Sequence, residues 1–473
     1  MISSPTLALE RRLFLFAPSG LVAALALAAL VLAAAVAGKG AVTRTIAAQD
    51  AFQTEGTAAL DEWRTALAEI ERTGEAPSPY AARPMSILLP AVLPPAPLGD
   101  FAAAGSNLHP TTTTISGWAN PADLFAEYEF ENPTPASLGG LDITFLVVAL
   151  MPLIMIAVSF DVLAGDRARG RARLVAAQAG HVRMAVWERL IIRNAALWAA
   201  FAIAALLAAV VAPPGAAMGP RLLAFGAWLA VALVYGLFWF GLIALAGALL
   251  KAAEAVAASL FAAWAVFVFA VPAIGGALAE GLYPPPSRLA FLSEMREGEV
   301  AAIRETAKLT AGFLADHPEM TVSDDAVPGY YRSTFLANRE AGRRTTPVLD
   351  AFNASRADRT RLVGALQYLS PPMIADRALT AIAGGDVTRA MMFQDQARDA
   401  LQDLHARIGP AVVAKQRISL ADYDAIKQFA FQDRTLGQAL IGTAGPLGFL
   451  SALVAGLLWL ARQRMRAPLE RLL

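Results

Sequence analysis

The chain has 473 residues, of which 56% are hydrophobic, with a formal net charge of zero and a mean hydropathy of +0.49. It is too long for one soluble domain and too apolar for an ordinary set of them, so a bilayer forms part of its solvent. The absence of cysteine excludes disulfides, thiolate nucleophiles and thiolate metal sites, and zero net charge supplies no global field for nucleic acid.

A membrane-spanning helix needs about 20 mostly apolar residues, because the hydrocarbon core is roughly 30 Å thick and each residue rises about 1.5 Å. Six segments qualify: approximately residues 19–37, 141–163, 190–212, 222–250, 255–279 and 439–460. Arg11 and Arg12 precede the first apolar run, and Ala35-Val36-Ala37 matches a small-residue cleavage pattern, so a signal peptide is the alternative to an uncleaved span. With the span retained, the total is even and both termini share one side.

Short loops rich in arginine stay in the cytoplasm. Arg11 and Arg12 lie before span one; Arg167, Arg169, Arg171, Arg173 and Arg183 lie between spans two and three; Arg462, Arg464, Arg466 and Arg471 follow span six. All three groups fall on one face. The expected fold is therefore an all-α integral membrane protein with six transmembrane helices and two mainly helical extracytoplasmic insertions. Residues 1–38 hold the cytoplasmic N-terminus and span one, and residues 39–140 the first insertion. Residues 141–279 hold spans two to five, with a cytoplasmic connection at about 164–189. Residues 280–437 form the second insertion, and residues 438–473 the last span and a basic tail.

Gly38-Lys39-Gly40 reads as a helix-end cluster. In the acidic first insertion, Leu60, Trp63, Leu67 and Ile70 recur at helical spacing and predict an amphipathic helix. The prolines of Leu89 to Pro97 exclude helix interior and predict extended chain, and Thr111 to Thr114 after His109-Pro110 reads as plain loop. In the second insertion, Val300, Ile303, Ala307 and Leu314 mark one helical face, and Phe393, Ala397, Leu401, Leu404 and Ile408 another. Ser419 with Asp422 resembles a capping box.

There is no phosphate loop of the form GxxxxGK[ST], and no GxSxG or SxxK nucleophile motif. His109, His181, His317 and His405 have no partner at ligand spacing and read as surface or loop residues. Asp142 and Asp161 lie near the ends of span two, and Lys251 and Glu254 in a short turn, which leaves the span interiors uncharged. Because intramembrane charge survives mainly for function, this favours a hydrophobic or amphiphilic substrate, or energy supplied by another subunit.

The most informative segment runs from Phe160 through Asp166-Arg167-Ala168-Arg169-Gly170-Arg171 to Leu174 and Gln178, then His181 to Arg193 with Trp187, Glu188 and Arg189. By charge alone it is a topology anchor on anionic lipid headgroups. The order of its features resembles the coupling region of ABC-2 type transporter permeases, with a pattern close to F-x-x-E-R-E-x-G-T-L-x-x-L-L. Asp166-Arg167 match the acidic-Arg pair, Gly170 the glycine and Leu174 a leucine of the coupling helix, whereas Arg171-Ala172 replaces Thr-Leu. Two further stretches are similar to the subgroup with large external insertions, the DUF3526 domain family. One is Leu93-Pro94-Pro95-Ala96-Pro97-Leu98 with Gly105 and His109-Pro110; the other is Tyr368-Leu369-Ser370-Pro371-Pro372 with Ala378-Leu379 and Ile382-Ala383-Gly384-Gly385.

That resemblance implies a permease subunit, expected to export, working in the bacterial cytoplasmic (inner) membrane with both termini cytoplasmic. It implies a second permease copy or a related permease as partner, in a homo- or heterodimer, and a separate cytosolic ABC ATPase subunit. ATP and Mg would sit on that ATPase, with no cofactor, metal or catalytic residue on this chain. Asp166, Arg167, Arg169, Gly170, Arg171 and Leu174 would form the ATPase-coupling loop. Membrane lipid is an expected contact and nucleic acid is not. The competing readings are a membrane-anchored sensor or scaffold with extracytoplasmic ligand-binding domains and no transport activity, and a membrane-embedded hydrolase.

Overall fold

A computed structural model describes residues 18–75, 83–106, 109–121, 123–125, 142–168, 182–284 and 329–465, with scattered positions between 293 and 315. Helices α1 (Pro18–Thr73), α2 (Ile143–Arg167), α3 (Val182–Val210), α4 (Met218–Leu249) and α5 (Ala253–Leu282) come first. Then follow α6 (Gly329–Leu366), α7 (Pro371–Ala383), α8 (Val387–Val413), α9 (Leu420–Asp424) and α10 (Leu436–Met465). Among the described residues, six helices are long and apolar enough to cross a membrane: α1 to α5 and α10. They coincide with the six expected segments.

Gly38-Lys39-Gly40 does not end a helix. The chain continues as one helix of 56 residues, because no proline interrupts it and Ala41 to Thr73 is rich in helix formers. Gly38 instead admits a neighbour: a Cβ there would lie 2.1 Å from the Asp100 carbonyl oxygen. In the distal half of α1, Leu60 and Leu67 are buried and Trp63 and Ile70 half-buried, as their spacing predicts. Trp63 stacks on Tyr423, Tyr423 Oη donates to the Leu60 carbonyl at 2.7 Å, and Arg64 forks onto Asp424.

The first insertion is not wholly helical. β1 (Leu88–Val92) and β2 (Thr112–Ser116) form an antiparallel pair with Leu89 opposite Ile115 and Ala91 opposite Thr113. The threonines read as loop are thus a strand, consistent with the strand preference of β-branched residues. Pro90 is tolerated because β1 has only one strand neighbour. Its other side meets α1, where Gly56 leaves room for the ring.

Two apolar cores result. The outer one joins Ile87, Leu89 and Ile115 to Phe335 and to the α8 stripe Phe393, Ala397, Leu401, Leu404 and Ile408, as the spacing predicts. Ser419 caps α9, accepting from the Asp422 amide at 3.0 Å. The bundle core is built on Phe201, Trp228, Tyr235 and Trp239, and it also takes in Leu98 and Phe101 from the first insertion and Ile374, Ala378, Leu379 and Ile382 of α7. So α7, expected in an external insertion, packs into the bundle beside α4 and α10.

Pro152 of α2 and Pro272 of α5 free backbone carbonyls that lipid cannot satisfy. Each follows a π-turn, at Leu146–Leu150 before Pro152 and at Val266–Ala270 before Pro272. Side chains fill the gaps. Tyr235 Oη donates to the Val148 carbonyl at 2.7 Å, Trp264 Nε1 to that of Ala149 at 2.8 Å, and Ser370 Oγ to that of Phe267 at 2.7 Å.

Candidate functional site

Of the residues expected to couple, Asp166 and Arg167 close α2, while Arg169, Gly170, Arg171 and Leu174 lie outside the described residues. Arg167 turns inward. Its Nη1 donates to the carbonyls of Gly247 at 3.1 Å and Leu250 at 2.9 Å, where the end of α4 has oxygens without helical donors. Asp166 pairs with Arg189 of α3. One turn further along, Arg193 donates to the Val158 carbonyl at 2.7 Å and to Asp161 at 3.2 Å, and Asn194 Nδ2 to Ser159 Oγ at 3.0 Å. The end of α2 is thereby braced to both α3 and α4, on either side of the basic stretch 169–181.

At the opposite end of the bundle two arginines hold the proline-rich loop. Arg221, in the first turn of α4, is 1% exposed. It forks onto Asp100 at 2.7 and 2.8 Å and donates to the carbonyls of Pro97 at 2.7 Å, Ala209 at 2.7 Å and Ala208 at 3.2 Å. A planar guanidinium with five N–H donors suits such a buried knot. Arg389, in the first turn of α8, donates to Asp433 at 2.9 Å and to the Pro94 carbonyl at 2.6 Å, over the ring of Phe431. Arg434 pairs with Asp386 and donates to the Ala381 carbonyl at 2.7 Å.

Two cavities flank this junction. One of about 320 Å³ lies between α1 and the proline-rich loop, lined by Gln49, Pro94, His109, Gly385 and Arg389. The other, of about 840 Å³, lies among α5, α6, α7 and α10. His109 borders both, and burial together with Arg356 lowers its pKa below the usual imidazole value. Asp376 of α7 lines the larger cavity, and the residue is exposed there. Burial, with the Asp142 carboxylate nearby, pushes its pKa up to about 6. Among the described residues, no group of three His, Asp or Glu is placed to hold a metal.

Residues 288–432 match the family model described as Domain of unknown function (DUF3526). No curated protein and no solved structure matches the chain. The matched segment supplies α6 to α9, and with them Asp376, Asp386 and Arg389. Its Tyr368-Leu369-Ser370-Pro371-Pro372 and Ile382 to Gly385 stretches are the two ends of α7. The proline-rich loop lies outside it but packs directly on Gly384.

His405, read as surface or loop, sits within α8 edge-on to Phe335; His181 and His317 lie outside the described residues. Neither arginine knot was anticipated. One signal existed for Arg221: a lone arginine in the short connection between spans three and four, on the face opposite the basic loops, runs against the positive-inside trend and asks for a carboxylate partner.

Proposed function

We propose that the chain is the membrane-spanning permease subunit of an ABC-2 type transporter, an exporter driven by a separate cytosolic ATPase. It lies in a bacterial cytoplasmic membrane with both termini inside and both insertions outside, α7 of the second returning to pack on the bundle. The observation that carries this reading is the bracing of α2 to α3 and α4 by Arg167, Arg189 and Arg193 on either side of the basic segment 169–181. A push on that segment by a cytosolic partner would move three spans as one body. The permease works as a pair with a second copy or a related permease, and ATP and Mg belong to the ATPase.

In this mechanism Arg169 and Arg171 recognise carboxylates of the partner, which arginine forks match, while Asp166 and Arg167 hold the end of α2 to the bundle. The test is to purify the full chain from its membrane, identify what accompanies it and measure ATP hydrolysis. A stoichiometric ATPase with a phosphate loop, whose transport-linked turnover is lost in Arg169→Glu/Arg171→Glu with assembly intact, is the expected result. Normal coupled turnover in that variant refutes the assignment of those arginines. A chain that purifies alone and hydrolyses nothing refutes the permease reading and favours the sensor or scaffold.

A further inference from the structure

The 840 Å³ cavity has a division of chemistry that the transport reading does not use. Its wall toward the membrane-spanning helices is built of small residues, Gly276 and Ala279 from α5 and Ala439 and Gly442 from α10. A Cβ added at Gly276 or Gly442 meets nothing within 4 Å. The same two helices present Ile274, Leu278 and Ile441 outward, so this side of the cavity adjoins the apolar surface that faces lipid.

Charged side chains line the rest of the cavity. Arg434 pairs with Asp386 and Arg359 with Glu280, which leaves Asp376 and Arg377 of α7: among the described residues, neither takes a hydrogen bond or an ion pair. One further acceptor follows from covalent structure. Pro446 has no N–H to return to the preceding turn, so the Gly442 carbonyl lacks its helical donor. The cavity thus offers a carboxylate and a carbonyl that suit an ammonium group, a guanidinium that suits an anion, and a slot of small residues that suits an apolar chain. Its volume falls in the range of small-molecule sites, about 300–1,000 Å³.

We propose that this cavity binds a zwitterionic amphiphile, its ammonium group at Asp376, its anionic group at Arg377 and its apolar part between Gly276 and Gly442. The site is defined by α5, α7 and α10 of one chain and does not depend on an ATPase. Charge pairing in a partly enclosed site is worth roughly tenfold or more in affinity.

The experiment uses the full chain purified in mild detergent without nucleotide or partner. The probe is a short-chain phosphatidylethanolamine with a fluorophore on its acyl chain, compared with the N-acetylated analogue, which lacks the ammonium, and with soluble phosphoethanolamine, which lacks the chains. Saturable binding of the amine form, at least about tenfold tighter than either comparator, is expected. Gly442→Leu and, independently, Gly276→Leu extend a side chain into the slot from positions where the added Cβ meets nothing within 4 Å, and each weakens binding by a similar factor at unchanged melting temperature. Asp376→Asn removes the preference for the amine over the N-acetyl form. Equal affinity for the amine and N-acetyl forms overturns the proposal, as does equal binding of phosphoethanolamine or full binding by both leucine variants.

Discussion

Gly384 and Ala96 meet so closely that a methyl group on Gly384 would fall 2.3 Å from the Ala96 Cβ. Gly384 ends α7 with φ +80°, a left-handed conformation that costs other residues about 1–2 kcal/mol. The same glycine therefore terminates a helix and seats the proline-rich loop, although 288 positions of chain separate the two residues.

Gly384→Ala is expected to destabilise the protein by about 2–4 kcal/mol, from the backbone penalty together with overpacking. Thermal unfolding in detergent measures it. A melting temperature equal to wild type would show that the loop yields freely.

Asp100→Ala leaves Arg221 as an uncompensated buried charge, which costs about 3–5 kcal/mol. The double variant Asp100→Leu/Arg221→Met should recover at least part of that loss, because it removes both charges; it still leaves the carbonyls of Pro97, Ala208 and Ala209 without their donor. A double variant less stable than Asp100→Ala would show that the carbonyl contacts outweigh the ion pair.

Ser370 spans two helices: its hydroxyl donates to the Phe267 carbonyl and accepts from the Met373 amide at 3.4 Å. Ser370→Ala orphans a carbonyl at a π-turn and uncaps α7. A loss of about 1–3 kcal/mol is expected, readable as a lower melting temperature and as earlier proteolysis near α7.

Asp376 gives a pH signature. The native carboxyl holds its proton up to about 6, whereas an unfolded aspartate releases it near about 3.9. Between those values the native state binds more protons, so this group makes stability fall as pH rises from about 4 to about 6, and the loss persists above that. Asp376→Asn lacks the effect. Its melting temperature relative to wild type should climb between pH 4 and pH 7, and a constant difference would show that the carboxyl titrates normally.

The spans were legible because twenty apolar residues in a row admit few other readings, and the α8 stripe because Phe393 to Ile408 repeats at helical spacing. What escaped depends on partners distant in sequence. Arg221 and Asp100 are 121 positions apart, and nothing local to either announces the other. The Gly38 and Gly40 pair carries the local signature of a helix end, yet tertiary packing uses Gly38 to admit the Asp100 backbone while the helix runs on. Helix α7 reads as part of a polar insertion because its neighbours are charged, although its apolar face is that of a buried element.

The unbroken α1 makes the first span a rod. At about 1.5 Å per residue its 56 residues extend roughly 84 Å, and only about 30 Å of that fits a hydrocarbon core. The remaining arm of roughly 54 Å ends where Trp63, Arg64 and Glu71 grip the α9 region. A tilt of about 5° in the bilayer would displace that far end by roughly 5 Å, close to the rise of one helical turn. Small changes of angle among the spans are thereby converted into ångström-scale displacement of the outer core, without any loop in between to absorb them.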